Sequence, residues 1–290
     1  MSKNYTQFLP VSDKVMVKDQ FNELPLSIME FDNSSKWKNA YFEQLPEEKR
    51  RSDDAKYLAG YGMSEFNSGL CEFILKYWSM KNSIVVDPFA GRATRAIIST
   101  KLGRKYYGYE VSPSTYSRSL EHYKKLNISP TLYLEDGCRM ENIDNDFAHL
   151  VMTCPPYSSL EKYESVPNQL SDLSYEKFLE RIYLCAENIK RVLVPGGFCC
   201  WVCANWREPS GFRQFTTDSI NIFKSTGLIS HDEVILKNNS PFAALQAYKC
   251  ACKRITSKIH ETLLVFKKSG HLDLNGLECD TLYESNEFFG

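Results

Sequence analysis

The chain has 290 residues, 43% of them hydrophobic and 13% aromatic, which excludes a disordered protein and suits one large α/β domain with appendages or two small domains. A formal net charge of −1 excludes a non-specific coat for nucleic acid, so any contact with DNA or RNA has to use a local basic patch. No apolar run approaches the roughly 20 residues that span a bilayer, and Met1 to Pro10 lacks the apolar core of a signal peptide, so a soluble, cytoplasmic protein is expected.

Residues 1–62 mix aromatic and charged residues and read as an N-terminal extension of one or two helices packing on a core domain, 63–268. That domain opens with a helix start at Ser64-Glu65-Phe66-Asn67, followed by Leu70, Phe73, Ile74, Tyr77 and Trp78 at helical spacing. Strands and helices then alternate: strand 84–87, helix 94–102 stopped by Gly103, strand 106–110, helix 113–126, strand 131–134 and strand 150–153. A long helix 175–194, strand 198–204, helix 212–226 and strands 231–237 and 261–267 complete the pattern. Seven strands with intervening helices predict a doubly wound, mostly parallel sheet with helices on both faces. Residues 269–290 are polar and acidic and read as a loosely held tail.

The ten cysteines are scattered through apolar runs and read as small buried hydrophobes in a reducing compartment. Cys250-Ala251-Cys252 and Cys200-Trp201-Val202-Cys203 lack zinc spacing and a partner pair, so no metal site is expected.

Chemistry concentrates at strand ends. Asp87-Pro88-Phe89-Ala90-Gly91 closes the first strand, where ligands of open α/β sheets bind. Gly91 permits close backbone approach, the helix from Thr94 presents free amides, and Asp87 either fixes the turn or meets a cationic ligand group. The loop is not GxGxxG, which suits a smaller adenosine cofactor better than a dinucleotide. Glu110 ends the second strand about 20 residues further on, placed to accept hydrogen bonds from both hydroxyls of a ribose. Asp136, after the third strand, reads either as an acceptor for an adenine amino group or as a turn aspartate.

The fourth strand runs into Cys154-Pro155-Pro156-Tyr157. Two prolines remove two amide donors and leave carbonyls to hold an amino group, while Tyr157 offers a ring face to a flipped base. Cys154 reads as a small filler, or as a thiolate nucleophile for carbon-5 chemistry on a pyrimidine.

This set resembles the S-adenosylmethionine-dependent DNA amino-methyltransferases, which modify adenine N6 or cytosine N4. In narrower detail it is similar to phage and prophage DNA modification methylases through Cys154 to Tyr157, Asp172-Leu173-Ser174-Tyr175, and Arg191 to Phe198. The likeness runs from about Pro25 to Lys268 and is specific at the two loops. It implies a class I methyltransferase fold with S-adenosylmethionine as cofactor. Asp87, Phe89 and Gly91 would form the cofactor loop, Glu110 would bind the ribose and Asp136 the adenine. Ser64 and Phe66 would touch the methionine part, and Cys154, Pro155, Pro156 and Tyr157 would form the catalytic loop.

Two departures stand out. Arg92-Ala93 replaces the family's small residue and glycine, and Cys154 replaces a stronger acceptor. They motivate one rival, a catalytically silent DNA-binding protein on the same fold; an RNA base methyltransferase is the other. Surfaces offered for nucleic acid are 158–172, 205–213 and the basic cluster Lys249, Lys253, Arg254 and Lys258.

Overall fold

The computed structural model describes residues 26–31, 66–157, 166–237, 247, 250–251, 253–278 and 280. Its centre is an eight-stranded sheet built from β1 (Ile28–Glu30), β2 (Ile84–Asp87), β3 (Lys105–Glu110), β4 (Thr131–Leu134), β5 (Ala148–Thr153), β6 (Leu193–Cys203), β9 (Ile229–Lys237) and β10 (His260–Lys267). Their spatial order is β1-β9-β10-β6-β5-β2-β3-β4, with β10 antiparallel to both neighbours and the remaining pairs parallel. All seven expected strands are present. The eighth, β1, comes from the N-terminal extension and pairs in parallel with β9 at the sheet edge, Ser27 accepting from the Ile235 amide at 2.8 Å. The other residues of the expected 1–62 extension lie outside the described residues.

The inner strands are continuous apolar runs because both their faces are covered. Val85, Val86, Leu150 and Val151 are fully buried, each contributing about 1.5–3 kcal/mol of transfer free energy. On one face lie α4 (Tyr175–Val192) and α5 (Phe215–Ser225), which pack Phe178, Ile182, Phe215 and Phe223 against Trp201 and Phe266. On the other lie α1 (Ser68–Trp78), α2 (Thr94–Lys101) and α3 (Pro113–Lys125). Helix α1 begins at Ser68, directly after the expected start segment 64–67, because the Asn67 side chain accepts from the Leu70 amide at 3.0 Å and caps it.

Two segments differ from expectation. The predicted helix 212–226 begins only at Phe215, since residues 206–213 form a hairpin of β7 (Trp206–Glu208) and β8 (Gly211–Arg213). The expected loose tail is strapped down as far as Asp280. Lys81 and Glu278 exchange two backbone hydrogen bonds, and Asp280 accepts from Arg104 through both oxygens at 2.6 Å. The strap crosses the amino ends of β2, β3 and β6, where Gly196 leaves no room for a Cβ beside Leu272. The carboxyl ends of the strands carry the expected site residues.

Six of the eight described cysteines are buried and none is paired, as the apolar settings predicted. Burial pushes the thiols of Cys71, Cys185, Cys199, Cys200 and Cys203 up, that of Cys203 to about 12. Among the described residues no helix is long and apolar enough to cross a membrane.

Candidate active site at the carboxyl ends of the parallel strands

The turn after β2 is organised by Asp87, which is wholly buried. Its carboxylate accepts from Arg95 Nε at 2.6 Å, the Tyr106 hydroxyl at 2.7 Å, the Thr153 hydroxyl at 2.7 Å and the Phe89 amide at 3.1 Å. A carboxylate with four protein donors is a structural anchor, so the geometry favours the turn-fixing reading of Asp87 over direct ligand contact. Arg95, buried in α2, completes the anchor by also donating to the Phe89 and Ala90 carbonyls. Its guanidinium lies 4.6 Å from the Phe66 ring centre, which ties the segment entering α1 to the β2 turn. The Asp87 charge holds Arg95 above its ordinary pKa despite burial, which pulls the other way.

Gly91 sits at φ +51°, a left-handed turn open to glycine at no steric cost. Ala93, the residue before α2, provides no side-chain cap. At the end of β3, Glu110 accepts from the Ser112 amide at 2.8 Å and also draws hydrogen bonds from the Val111 and Gly91 amides. Turn and acid are therefore joined. Burial raises the Glu110 pKa above its ordinary value, and those three amides moderate the rise.

The β4 turn docks directly on the β2 turn. A Cβ on Gly137 would lie 1.9 Å from the Pro88 carbonyl oxygen, so only glycine allows this approach. Beside it Asp136 forms an Asx turn, accepting from the Cys138 amide at 3.0 Å, and it pairs with Arg181 of α4. The turn-aspartate alternative accounts for these contacts. Further acceptor positions on the carboxylate remain for another donor.

The last β5 residue, Thr153, binds Asp87, and Cys154 follows it. Cys154 is partly buried, and its thiol donates to the Pro155 carbonyl at 4.0 Å. Lys258 is close enough for its charge to be felt at both Cys154 and Cys203. Tyr157 is half-buried, its ring centre 5.5 Å from that of Trp206 and 6.4 Å from that of Phe215. Phe89 reaches the same aromatic group through Trp201, at 6.2 Å.

The structure thus gathers Phe66, Asp87, Phe89, Gly91, Glu110, Asp136 and residues 154–157 at one end of the sheet. Ser64 and Lys249 lie outside the described residues. Lys253, Arg254 and Lys258 are exposed on the segment before β10. Sequence reasoning missed Arg95, Tyr106 and Thr153 as partners of Asp87. An arginine at the second position of the helix after a glycine loop was the available signal for the first of them.

The fit of an adenosine cofactor rests on two features: a partly buried carboxylate hydrogen-bonded to a left-handed glycine turn, and a helix start without a side-chain cap. A family model described as DNA methylase, of the N6/N4 kind, matches residues 3–121, which include the β2 turn and Glu110 and stop before Cys154. Type II methyltransferase M.MjaI of Methanocaldococcus jannaschii is 26% identical over 162 residues, 46% of this chain and 54% of that protein. The chain therefore spans about half the length of this curated relative. Among solved structures, TrmN from Thermus thermophilus superposes with a TM-score of 0.51 at 12% identity over 76% of this chain and 52% of that one. The [4+2]-cyclase SpnF superposes with a TM-score of 0.51 at 13% identity over 72% of this chain and 85% of that one. At such identity these two likenesses speak for the fold alone, and a cyclase among them means that the fold does not assign the reaction. The family model over residues 3–121 and the type II relative make the chain similar to the N6/N4-type DNA methylases, and the solved structures show that it shares the doubly wound α/β fold of TrmN and SpnF.

Proposed function

We propose that the protein transfers a methyl group from S-adenosylmethionine to the exocyclic amino group of a DNA base, cytosine N4 or adenine N6, with the base turned out of its stack onto the Cys154–Tyr157 loop. The observation that carries this reading is the hydrogen bond from Thr153 to Asp87 at 2.7 Å. It locks the turn that would hold the cofactor to the loop that would hold the base, and proximity of two reactants is the main requirement of this reaction.

The bound cofactor supplies an electrophilic sulfonium methyl. Every other task falls to the chain. Glu110 and the Gly91 turn hold the ribose, and Phe89 and Phe66 line the approach to the methionine part. The Pro155 carbonyl, unopposed by neighbouring amide donors, accepts from the base amino group and orients its lone pair. Tyr157, backed by Trp206 and Phe215, offers its ring to the base face. Amino methylation asks for little acid-base help, since the proton leaves after the methyl arrives. A cysteine at position 154 is compatible with that chemistry, and a thiol donating to a carbonyl is not poised as a nucleophile. The exposed Lys253, Arg254 and Lys258 would meet phosphates.

The test is nucleoside mass spectrometry of DNA and RNA from cells expressing the protein, beside calorimetry with S-adenosylmethionine. N4-methylcytosine or N6-methyladenine in DNA is expected. Methylation confined to RNA would move the substrate to the rival class. Absence of cofactor binding would favour the silent reading.

A further inference from the structure

The β7–β8 hairpin leaves the carboxyl end of β6 beside the catalytic loop, and its two faces differ in kind. Trp206 pairs with Arg213, Arg207 with Phe212 and Glu208 with Gly211. Strand alternation therefore sends Trp206, Glu208 and Arg213 to one side and Arg207 and Phe212 to the other. The first side is anchored. Trp206 is buried against Tyr157, Tyr175 and Phe215, and the Arg213 guanidinium lies 4.6 Å from the Tyr175 ring centre while also pairing with Glu208. Tyr175 in turn is held by Asp218 of α5.

The second side faces water. Phe212 is 47% exposed, which is unusual for phenylalanine on a rigid element. The Arg207 guanidinium lies 4.6 Å from its ring centre and so covers one face. The tip, Pro209 to Gly211, is exposed, and Gly211 has no atom within 4 Å of where a Cβ would stand. An aromatic ring with one face backed by a guanidinium, on an arm fixed to the catalytic loop, has the two chemical properties that hold a nucleic-acid strand: a stacking surface and a phosphate-pairing charge.

We propose that this hairpin is the arm that grips the DNA strand next to the target base, Phe212 stacking on an unstacked neighbouring base and Arg207 pairing with a phosphate. The proposal rests on the methyltransferase reading for its substrate class. It adds the element that engages the strand outside the reacting base. Because Trp206 touches Tyr157, a base seated on Phe212 fixes the distance between the strand and the catalytic loop.

The test uses the full chain with S-adenosylhomocysteine and measures binding of a fluorescent single strand and a fluorescent duplex of mixed sequence across a salt series. Removing one stacked base should cost between about fivefold and 150-fold in affinity, so Phe212→Ala is expected to weaken DNA binding within that range and Phe212→Trp to restore it. Arg207→Ala should lower the slope of log affinity against log salt by about 0.9 on duplex, the value for one phosphate, whereas Phe212→Ala leaves the slope alone. Unaltered melting temperature and S-adenosylhomocysteine affinity exclude a purely structural effect. DNA binding by Phe212→Ala equal to wild type overturns the proposal, as does a parallel fall in melting temperature and cofactor binding. Wild-type binding to an RNA probe and none to DNA overturns the assignment of DNA to the hairpin. Weakened DNA binding in the variants, with no methyl transfer to DNA by wild type, upholds the arm and sinks the methylation reading instead.

Discussion

Arg95 holds the shape of the β2 turn, the proposed cofactor turn. Its guanidinium and the Asp87 carboxylate are both buried, so removing the cation strands a charge away from water. Breaking a buried pair in this way costs about 3–5 kcal/mol. Arg95→Ala should therefore lower the melting temperature and abolish S-adenosylmethionine binding together. Arg95→Lys, which keeps the charge without the fork, should recover stability in part and leave binding impaired, because the Phe89 and Ala90 carbonyls lose their donor. Thermal melts and calorimetry on both variants check this, and cofactor affinity intact in Arg95→Lys would show that the charge alone shapes the turn.

On the proposed reading, in which Glu110 binds the ribose, this residue links cofactor binding to pH. The carboxylate form is the one that accepts from a ribose, and burial raises its pKa above the ordinary glutamate value. Affinity should be full above that raised value and fall as pH drops through it, at a higher pH than an exposed glutamate would give. Glu110→Gln should flatten this part of the pH profile and weaken binding at neutral pH. Calorimetry from pH 4.5 to 8 separates the two, and a wild-type profile without an acid limb would rule out Glu110 as the acceptor.

At the scale of elements, the proposed catalytic loop is backed by other elements. Tyr157 is held by Trp206 from β7 and Phe215 from α5. Truncation to Tyr157→Ala removes the stacking face and leaves the Asp87–Thr153 link untouched. Turnover should fall by more than tenfold with little change in S-adenosylmethionine affinity, while Tyr157→Phe should retain most activity. Equal loss of turnover and cofactor affinity in Tyr157→Ala would count against stacking.

What was legible in the sequence follows from the same physics. The parallel strands announced themselves because burial on both faces demands unbroken apolar runs such as 84–86 and 150–152, and their ends carried the glycine and proline turns. The hairpin was invisible for the opposite reason. Two strands of three residues have no periodicity to read, and Phe212 and Phe215 fall at a spacing that suits a helix. Asp87 was legible as important but not in its role, since its partners Arg95, Tyr106 and Thr153 come from three other elements. The strap escaped notice because backbone pairing and one buried arginine hold it, and neither leaves an apolar signature.

At the scale of the whole molecule, the two ends of the sheet have separate duties. The carboxyl ends carry the turns of the proposed site, and the amino ends are closed by residues 270–278 and Asp280. Arg104, its side chain fully buried, donates to the Leu75, Ser79 and Leu102 carbonyls and to both oxygens of Asp280. In Asp280→Ala the guanidinium keeps its carbonyl acceptors and loses its only described carboxylate partner. The expected cost is about 1–3 kcal/mol, a fall of several degrees in melting temperature for a chain of this size. Ending the chain after Lys268 removes the Lys81–Glu278 pairing and the cover over Gly196 as well, and should destabilise further. Neither change should alter S-adenosylmethionine affinity at a temperature where the chain is folded, because every strap contact lies at the opposite end of the strands from Gly91 and Glu110. Melting curves beside calorimetry at 15 °C measure both quantities. A loss of cofactor affinity in folded Asp280→Ala would mean that strain at the amino ends travels the length of β2 and β3 to the site.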